Sequence, residues 1–380
     1  MVLATTSAAA ATASYWQREG EATPLRVTSV PTRADVVIIG GGLAGVSSAL
    51  AILDRQPDAS IAVLEQRFVG YGASGRNGGL LSPLPVPVWL LKADKNEDHA
   101  WALRTLNRKL HRLGAWLAET VPESEITPCT LHLQATGHLT TAGLGVIAQT
   151  LDRSGIDHRM IQEPDRDGRP TLTLPTFTVH PYRLVRALAA RAIAKGALVC
   201  EQAAVAGIEP LSSGSVRVRL ADGKLIEAGR VLVCTNAYTH TLSGPPAPRA
   251  KVVRNYMVET DVLDEETVAR LGSDQTFIVE LNKSYIFYRL HRRRLIYGGV
   301  ETFFGAAKSD YEVPAGVLQK LEKHLAHSMR WRPPPAIASA WGGNFHSTAT
   351  DLPIIRTAAQ SREVSFNIGY GGTGVALTQL

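Results

Sequence analysis

The stretch from Asp35 to Glu65, DVVIIGGGLAGVSSALAILDRQPDASIAVLE, constrains the chain more than any other. Val36, Val37, Ile38 and Ile39 form an unbroken apolar run, the pattern of a strand buried on both faces of a parallel sheet. Gly40, Gly42 and Gly45 then supply G-x-G-x-x-G. The first glycine permits a tight turn, the second admits a pyrophosphate to the backbone, and the third lets the following helix pack on the strand. The amides of Leu43, Ala44 and Gly45 are expected to face phosphates at the helix N-terminus. Val46, Leu50 and Leu53 keep a helical stripe, Pro57 and Asp58 break it, and Ile61 to Leu64 read as the second strand. Glu65 closes that strand about 20 residues beyond Gly45, where a carboxylate accepts from a ribose hydroxyl and repels a 2′-phosphate. The stretch therefore predicts a Rossmann-like βαβ unit that binds a dinucleotide without a 2′-phosphate.

At 380 residues the chain is long for one core, and 45% hydrophobic with 19% charged residues is the balance of a globular protein. The net charge of +6 suits an anionic ligand without specifying one. Arg292-Arg293-Arg294 reads as a solvated hairpin tip, and no nucleic-acid motif accompanies it. The three cysteines, Cys129, Cys200 and Cys234, lack metal-ligand spacing; three leaves one unpaired, which favours a reducing, cytoplasmic compartment. No metal is expected. No apolar run approaches the roughly 18 residues that cross a bilayer. Residues 1–34 lack the basic start and apolar core of a signal peptide and read as a mobile arm leading to Tyr15-Trp16.

After Glu65 comes a glycine-rich loop, Gly72-Ala73-Ser74-Gly75-Arg76-Asn77-Gly78-Gly79. It cannot be regular structure; it is either a flexible surface loop or a stretch whose backbone lies flat against a planar ligand. Further on, Glu97 to Thr120 repeats leucine at steps of three and four, one face of a long amphipathic helix. Pro181 opens another helix that Gly196 stops. Val216 to Leu220 alternates up to the turn signal Asp222-Gly223, and Val231 to Cys234 reads as a buried strand. Long strands follow over Val252 to Val258, Tyr285 to Leu290 and Leu295 to Val300, then a helix from Ala315 to Met329.

Together the G-G-G-L-A-G fingerprint, the G-A-S-G-R-N-G-G loop and the terminal G-Y-G-G-T-G-V-A-L-T resemble the FAD-dependent amine and D-amino-acid oxidase family, nearest its γ-glutamylputrescine-oxidase-like branch. The resemblance runs from about Tyr15 to Leu380. It implies an α/β architecture: a Rossmann-like FAD-binding domain with a second, antiparallel-sheet (α+β) substrate domain. The expected division is an arm over 1–34, a discontinuous FAD domain over 35–90, 165–245 and 330–380, and a substrate domain over 91–164 and 246–329. By resemblance the FAD contacts extend to Gln66, to Ala73, Ser74, Arg76, Asn77, Gly78 and Gly79, to Val205 beside the adenine, to Thr235 and Asn236, and to Gly371, Gly372, Thr373 and Gly374 before a last helix. Some relatives carry flavin covalently on a histidine of the loop or on a C-terminal cysteine; this chain has neither, so the FAD is expected to be non-covalent. Relatives also continue that last helix further, which implies a short one here.

The resemblance implies a small amine or amino acid as substrate. Hydride leaves the carbon beside nitrogen for flavin N5, the imine hydrolyses, and O2 or another acceptor takes the electrons. Arg289, on an apolar strand in a Y-x-x-R pattern closed by Gly298-Gly299, is the candidate clamp for a substrate carboxylate. The alternative is an outward-facing arginine on an edge strand. Tyr288 must face the other way on a regular strand, so the two share the site only if a bulge intervenes. His346 is a third catalytic candidate, beside the plainer reading of a hydrogen-bonded residue near a turn. A nicotinamide dehydrogenase is disfavoured because no second βαβ half follows Gly79. A flavin-binding partner subunit with a structural role is the alternative from another class.

Overall fold

The computed structural model describes residues 13–20, 25, 29–82, 97–136, 141–161, 170–281, 286–304, 312–328, 334–350 and 352–379. Tyr285, Met329, Leu380 and most of the first 34 residues, on which some of the expectations above fall, lie outside them.

Two sheets organise the chain. In the first, the strands Ser361–Ile368, Leu225–Val233, Arg33–Ile39, Ile61–Leu64 and Leu198–Cys200 run parallel in that order, with Ile354–Ala358 antiparallel at one edge. Val37 and Ile39 bury on one side with Val231, Val233, Val364 and Phe366, while Ile38 and Val63 bury on the other. The apolar run at 36–39 thus has both faces covered. The helix Leu43–Arg55 sets Val46, Ala49, Leu50 and Leu53 against Ile38, beside the helix Pro181–Ala194. Each fully buried leucine or valine of this layer contributes about 1.5–3 kcal/mol. The antiparallel strands Val205–Pro210 and Val216–Leu220 cover the opposite face, joined to Leu225–Val233 across the Asp222-Gly223 turn.

The second sheet runs Ile337–Ser347, Lys251–Thr260, Arg294–Phe304, Ile286–His291, Thr276–Leu281, Thr127–Ala135, Thr171–Thr178 and Leu80–Leu81, with Arg159–Ile161 beside Thr171–Thr178. Its pairings are antiparallel except between Thr276–Leu281 and Thr127–Ala135. The helix Ala315–Ser328 packs Leu321 and Leu325 on one face with Tyr256, Tyr288 and Tyr297.

This sheet departs from the expected division at three places. Leu80–Leu81, Thr171–Thr178 and Ile337–Ser347, expected in the FAD-binding domain, are strands of the second sheet. Alternation identifies a strand but not its partner, and here pairing with Thr127–Ala135 and with Lys251–Thr260 decides the sheet.

The arm also differs from expectation. Tyr15–Glu19 is a helical turn with a capping box: Ser14 Oγ accepts from Gln17 N at 3.2 Å and Ser14 N donates to Gln17 Oε1 at 3.0 Å. Tyr15 and Trp16 are buried in the core shared with Val179 and Val185. Two aromatics that bury this much surface dock the turn, although the residues around them carry no periodic signal.

Two buried histidines tie this packing to pH. His180 caps the Pro181–Ala194 helix, Nδ1 accepting from Arg183 N at 3.2 Å, and burial pushes its pKa down to about 3. Burial likewise lowers His346 from 6.5 to about 4. A histidine whose folded pKa lies below its unfolded one is protonated first in the unfolded chain, so stability is held above 6.5 and lost as pH falls towards 4. Each costs about 1.4 kcal/mol per pH unit in that window, while the raised pKa values of buried Glu65 and Glu259 act in the opposite sense. In His346→Gln, the fall in unfolding free energy between pH 7.5 and 5.5, measured in urea, is expected to shrink by about 1.4 kcal/mol.

Candidate active site

A continuous cleft runs from the carboxyl ends of the parallel strands to the face of the second sheet, the place where open α/β sheets hold ligands. It has two lobes, and Gly42, Ala73, Ser74, Cys234 and Asn236 line both. Two lobes that meet end to end suit an elongated molecule.

The smaller lobe lies between Glu65, Gln66, Val205, Thr235 and the first glycine turn. Glu65 is buried, its Oε2 accepting from Gly41 N at 2.8 Å and its Oε1 from Arg67 N at 2.9 Å. Burial raises its pKa and the two amides oppose the rise. Gly40 takes φ +111°, and a Cβ there would meet Cys234 O at 2.8 Å, so the turn accepts only glycine. Where the lobes meet, Ser74 Oγ accepts from Leu43 N at 2.9 Å, which brings the glycine loop to the helix N-terminus. Cys234 sits beneath this junction, its thiol pushed up to about 12 by burial, so it is a neutral apolar contact and not a nucleophile.

The loop is held from behind by the arm. Ser14 Oγ donates to Gly75 O at 2.7 Å, Trp16 Nε1 to Asn77 O at 2.7 Å, and Gln17 Nε2 to Gly70 O at 3.0 Å. In front, Arg76 Nε donates to Tyr71 O at 2.7 Å, with its guanidinium 5.1 Å from the Tyr71 ring.

The larger lobe is lined by Met257, Phe277, Val279, Phe287, Phe345 and Tyr370, with Asn255 and Glu301 as polar members, and is closed by Gly371, Gly372 and Gly374. The final helix is one turn, Gly374–Leu377, capped at Thr373.

Of the candidate cofactor residues, Gly40, Gly42, Leu43, Ala44, Glu65, Gln66, Ala73, Ser74, Arg76, Asn77, Gly78, Val205, Thr235, Asn236, Gly371, Gly372 and Gly374 line the cleft. Gly45, Gly79 and Thr373 do not: Gly45 packs the helix onto Gly40, Gly79 N donates to Asn77 Oδ1, and Thr373 caps the last turn.

The three catalytic candidates lie elsewhere. Arg289 points to the same face as Phe287 but sits behind the glycine loop. It donates to Gly79 O and Val179 O, both at 3.3 Å, with its guanidinium 5.4 Å from the Trp16 ring. Burial pulls its pKa down to about 10, which leaves it charged at neutral pH. Its guanidinium is turned to the loop and the arm and does not line the cleft, and it is not the outward-facing edge arginine. Tyr288 faces away on a regular strand, stacked on Tyr297 at 6.0 Å. His346 is buried against the short helix that contains His240, with Nδ1 unpartnered, and does not line the cleft. The hairpin tip differs as well: Arg292 pairs with Glu19 and with Glu125 at 2.9 Å, so it anchors the arm. Phe287, two residues before Arg289, was the signal available in sequence. Glu301 and Asn255 gave none, because their place depends on strand pairing.

Residues 35–379 match the sequence profile of the family described as FAD dependent oxidoreductase (DAO). The chain belongs to that family. It is 27% identical over 386 residues to gamma-glutamylputrescine oxidoreductase of Escherichia coli K12, covering 97% of this chain and 87% of that one. Among solved structures it resembles L-proline dehydrogenase from P. horikoshii, with a TM-score of 0.75 and 16% identity over 92% of this chain and 91% of that one. It also resembles glycine oxidase from Geobacillus kaustophilus, with a TM-score of 0.72 and 21% identity over 92% of each chain. Membership makes this chain an FAD-dependent oxidoreductase, and the structural likenesses establish the shared fold. No helix among the described residues is long and apolar enough to cross a membrane.

Proposed function

We propose that the protein binds FAD non-covalently along the whole cleft and oxidises the C–N bond of a small amine or amino acid. The observation that carries the reading is the two-lobed cleft itself. One lobe has a buried carboxylate beside the first glycine turn, fit for a ribose, and the other runs from the helix N-terminus, fit for a pyrophosphate, into a chamber lined by aromatic side chains.

The residues present fit the cofactor. Glu65 would accept from the ribose hydroxyl and the Ala44 amide would meet the pyrophosphate, beside Ser74, whose Oγ accepts from Leu43 N. Val205 and Gln66 would border the adenine, and the loop Gly72–Gly79 would lie against the ring system. The N–H groups of Gly372 and Gly374 would be offered to the ring, where negative charge would collect on reduction, while those of Gly371 and Thr373 donate to His346 O and Tyr370 O. Bound there, FAD would supply the electron sink for a hydride from the carbon beside nitrogen, to be reoxidised by O2 or another acceptor. The chain's part is to exclude water and to orient the substrate. Phe287, Met257, Phe277 and Phe345 enclose an apolar space, which favours the neutral amine that the reaction requires. The resemblance to the γ-glutamylputrescine enzyme favours an amine as substrate.

Glu65→Gln removes a charged acceptor facing two amides and a ribose. The Kd for FAD, titrated into apoprotein by flavin fluorescence, is expected to rise about 10- to 100-fold.

Anaerobic addition of amines, amino acids and 2-hydroxy acids to the holoenzyme tests the reaction. Bleaching of the flavin bands by an amine or amino acid supports the reading. Bleaching by hydroxy acids alone overturns it. A flavin that none of the three classes reduces favours the partner-subunit alternative.

A further inference from the structure

The larger lobe holds a carboxylate that packing alone does not explain. Along Arg294–Phe304, pairing with Lys251–Thr260 is regular to Gly299↔Tyr256 and resumes at Thr302↔Arg254, so Val300 and Glu301 together oppose Asn255. This is a β-bulge, and Val300 pays for it with φ +58°, a left-handed conformation that a β-branched residue rarely adopts. Its effect is to exchange faces. Val300 packs with the cluster of Tyr256, Tyr288 and Leu321 behind the sheet, and Glu301 lines the cleft in front. A regular strand would have reversed the two.

In front, Glu301 shares the lobe with Met257, Phe287 and Phe345. Asn255 hydrogen-bonds its carboxylate, and Glu301 stands exposed to the open cleft. No cation pairs with Glu301 among the described residues. The cationic side chain lining this lobe, Arg76, is engaged by Tyr71 O and by Gly342 O at 3.4 Å. Asn255 Oδ1 also lacks a partner. A strained left-handed backbone whose effect is to turn a carboxylate without a cationic partner into this lobe marks a ligand site.

Resting on the amine-oxidising reading above, we infer that Glu301, positioned by the Val300 bulge and oriented by Asn255, is an anionic subsite for a second cationic nitrogen of the substrate, remote from the C–N bond being oxidised. The nitrogen at the reacting carbon must lose its proton before hydride can leave, and a carboxylate partner would hold that proton on. The nitrogen at Glu301 is therefore the other one. Substrates with a distal ammonium are favoured over monoamines, and those with a distal carboxylate are rejected by like charge.

The test compares α,ω-diaminoalkanes of four to six carbons with n-alkylamines and ω-amino acids of the same lengths. Each is added anaerobically to the holoenzyme, and the concentration that half-maximally perturbs or bleaches the flavin spectrum is read. The wild-type protein should require at least 10-fold less diamine than alkylamine and should respond least to the amino acid. Glu301→Gln, which keeps the hydrogen bond to Asn255, should abolish the diamine preference with thermal stability and FAD content retained. Glu301→Lys should turn the preference towards the ω-amino acid. Equal responses to diamine and alkylamine in the wild type, or a diamine preference that survives Glu301→Gln, would overturn the inference while leaving the amine-oxidase reading intact. Oxidation of hydroxy acids alone would instead remove that reading first.

Discussion

Gly45→Ala is expected to yield protein without bound flavin, destabilised by about 3 kcal/mol or more, because the added methyl has no place to go. Its Cβ would stand 2.0 Å from Gly40 O and 3.3 Å from Ile38 Cγ2. Both neighbours belong to the turn and strand that carry the cofactor site, so relief requires the helix Leu43–Arg55 to lift off the sheet. Overpacking in a close-packed interior costs typically 1–3 kcal/mol, and more where the obstacle is backbone. The lift also withdraws the Leu43 and Ala44 amides from the cleft, so flavin is lost in proportion to the shift and not merely to the stability. Gly145→Ala is the control. Nothing lies within 4 Å of a Cβ in the middle of the helix Thr141–Arg153, and the exchange should stabilise by about 1 kcal/mol. Urea unfolding and the ratio of flavin to protein absorbance, measured on both variants, check the pair. A yellow, stable Gly45→Ala protein would show that the close approach is not needed.

Trp16→Ala carries the second large effect. Trp16 is fully buried, lies edge-on to Tyr15, His180 and His291 with ring centroids 5.0 Å apart, supports the Arg289 guanidinium, and donates to Asn77 O. Truncation of a buried tryptophan costs about 3–5 kcal/mol. Here it also frees the loop that the arm braces, so flavin affinity should fall together with stability. Trp16→Phe keeps most of the apolar contact and loses the hydrogen bond, so a cost nearer 1 kcal/mol is expected. If Trp16→Ala bound FAD as tightly as the wild type, the arm would be a stabilising clamp with no part in shaping the site. Denaturant titration and FAD titration, run in parallel, separate the two roles.

The end of the cleft proposed for the nucleotide was the more legible in the sequence because each part of it is local. The apolar run, the glycine spacing and Glu65 lie within one βαβ unit, and their chemistry depends on near neighbours in the chain. Glycine motifs then placed Ser74, Asn236 and Gly371 on the same cleft by resemblance. The substrate half was not readable in this way. Arg289 carried the expected signal, a cation on an apolar strand, but its charge is spent on two carbonyls and an aromatic ring supplied by the distant Gly79, Val179 and Trp16. His346 and Tyr288 were likewise judged from their neighbours in sequence, and cross-strand partners decide which way they face. Glu301 is the converse case. Simple alternation along Arg294–Phe304 would send it behind the sheet, and only the irregular register opposite Asn255 turns it to the cleft. The arm was underestimated because a single turn offers no period to detect, although its two aromatics dominate the burial.

The most direct test of the central claim, that this cleft holds FAD non-covalently for the oxidation of an amine, is the visible absorption spectrum of the purified protein. It is recorded before and after anaerobic addition of amines, and again on the supernatant after acid precipitation. The account predicts flavin bands that an amine bleaches, with the yellow colour passing wholly into the supernatant. A colourless protein that FAD does not reconstitute, or a colour that stays with the precipitate, would contradict it.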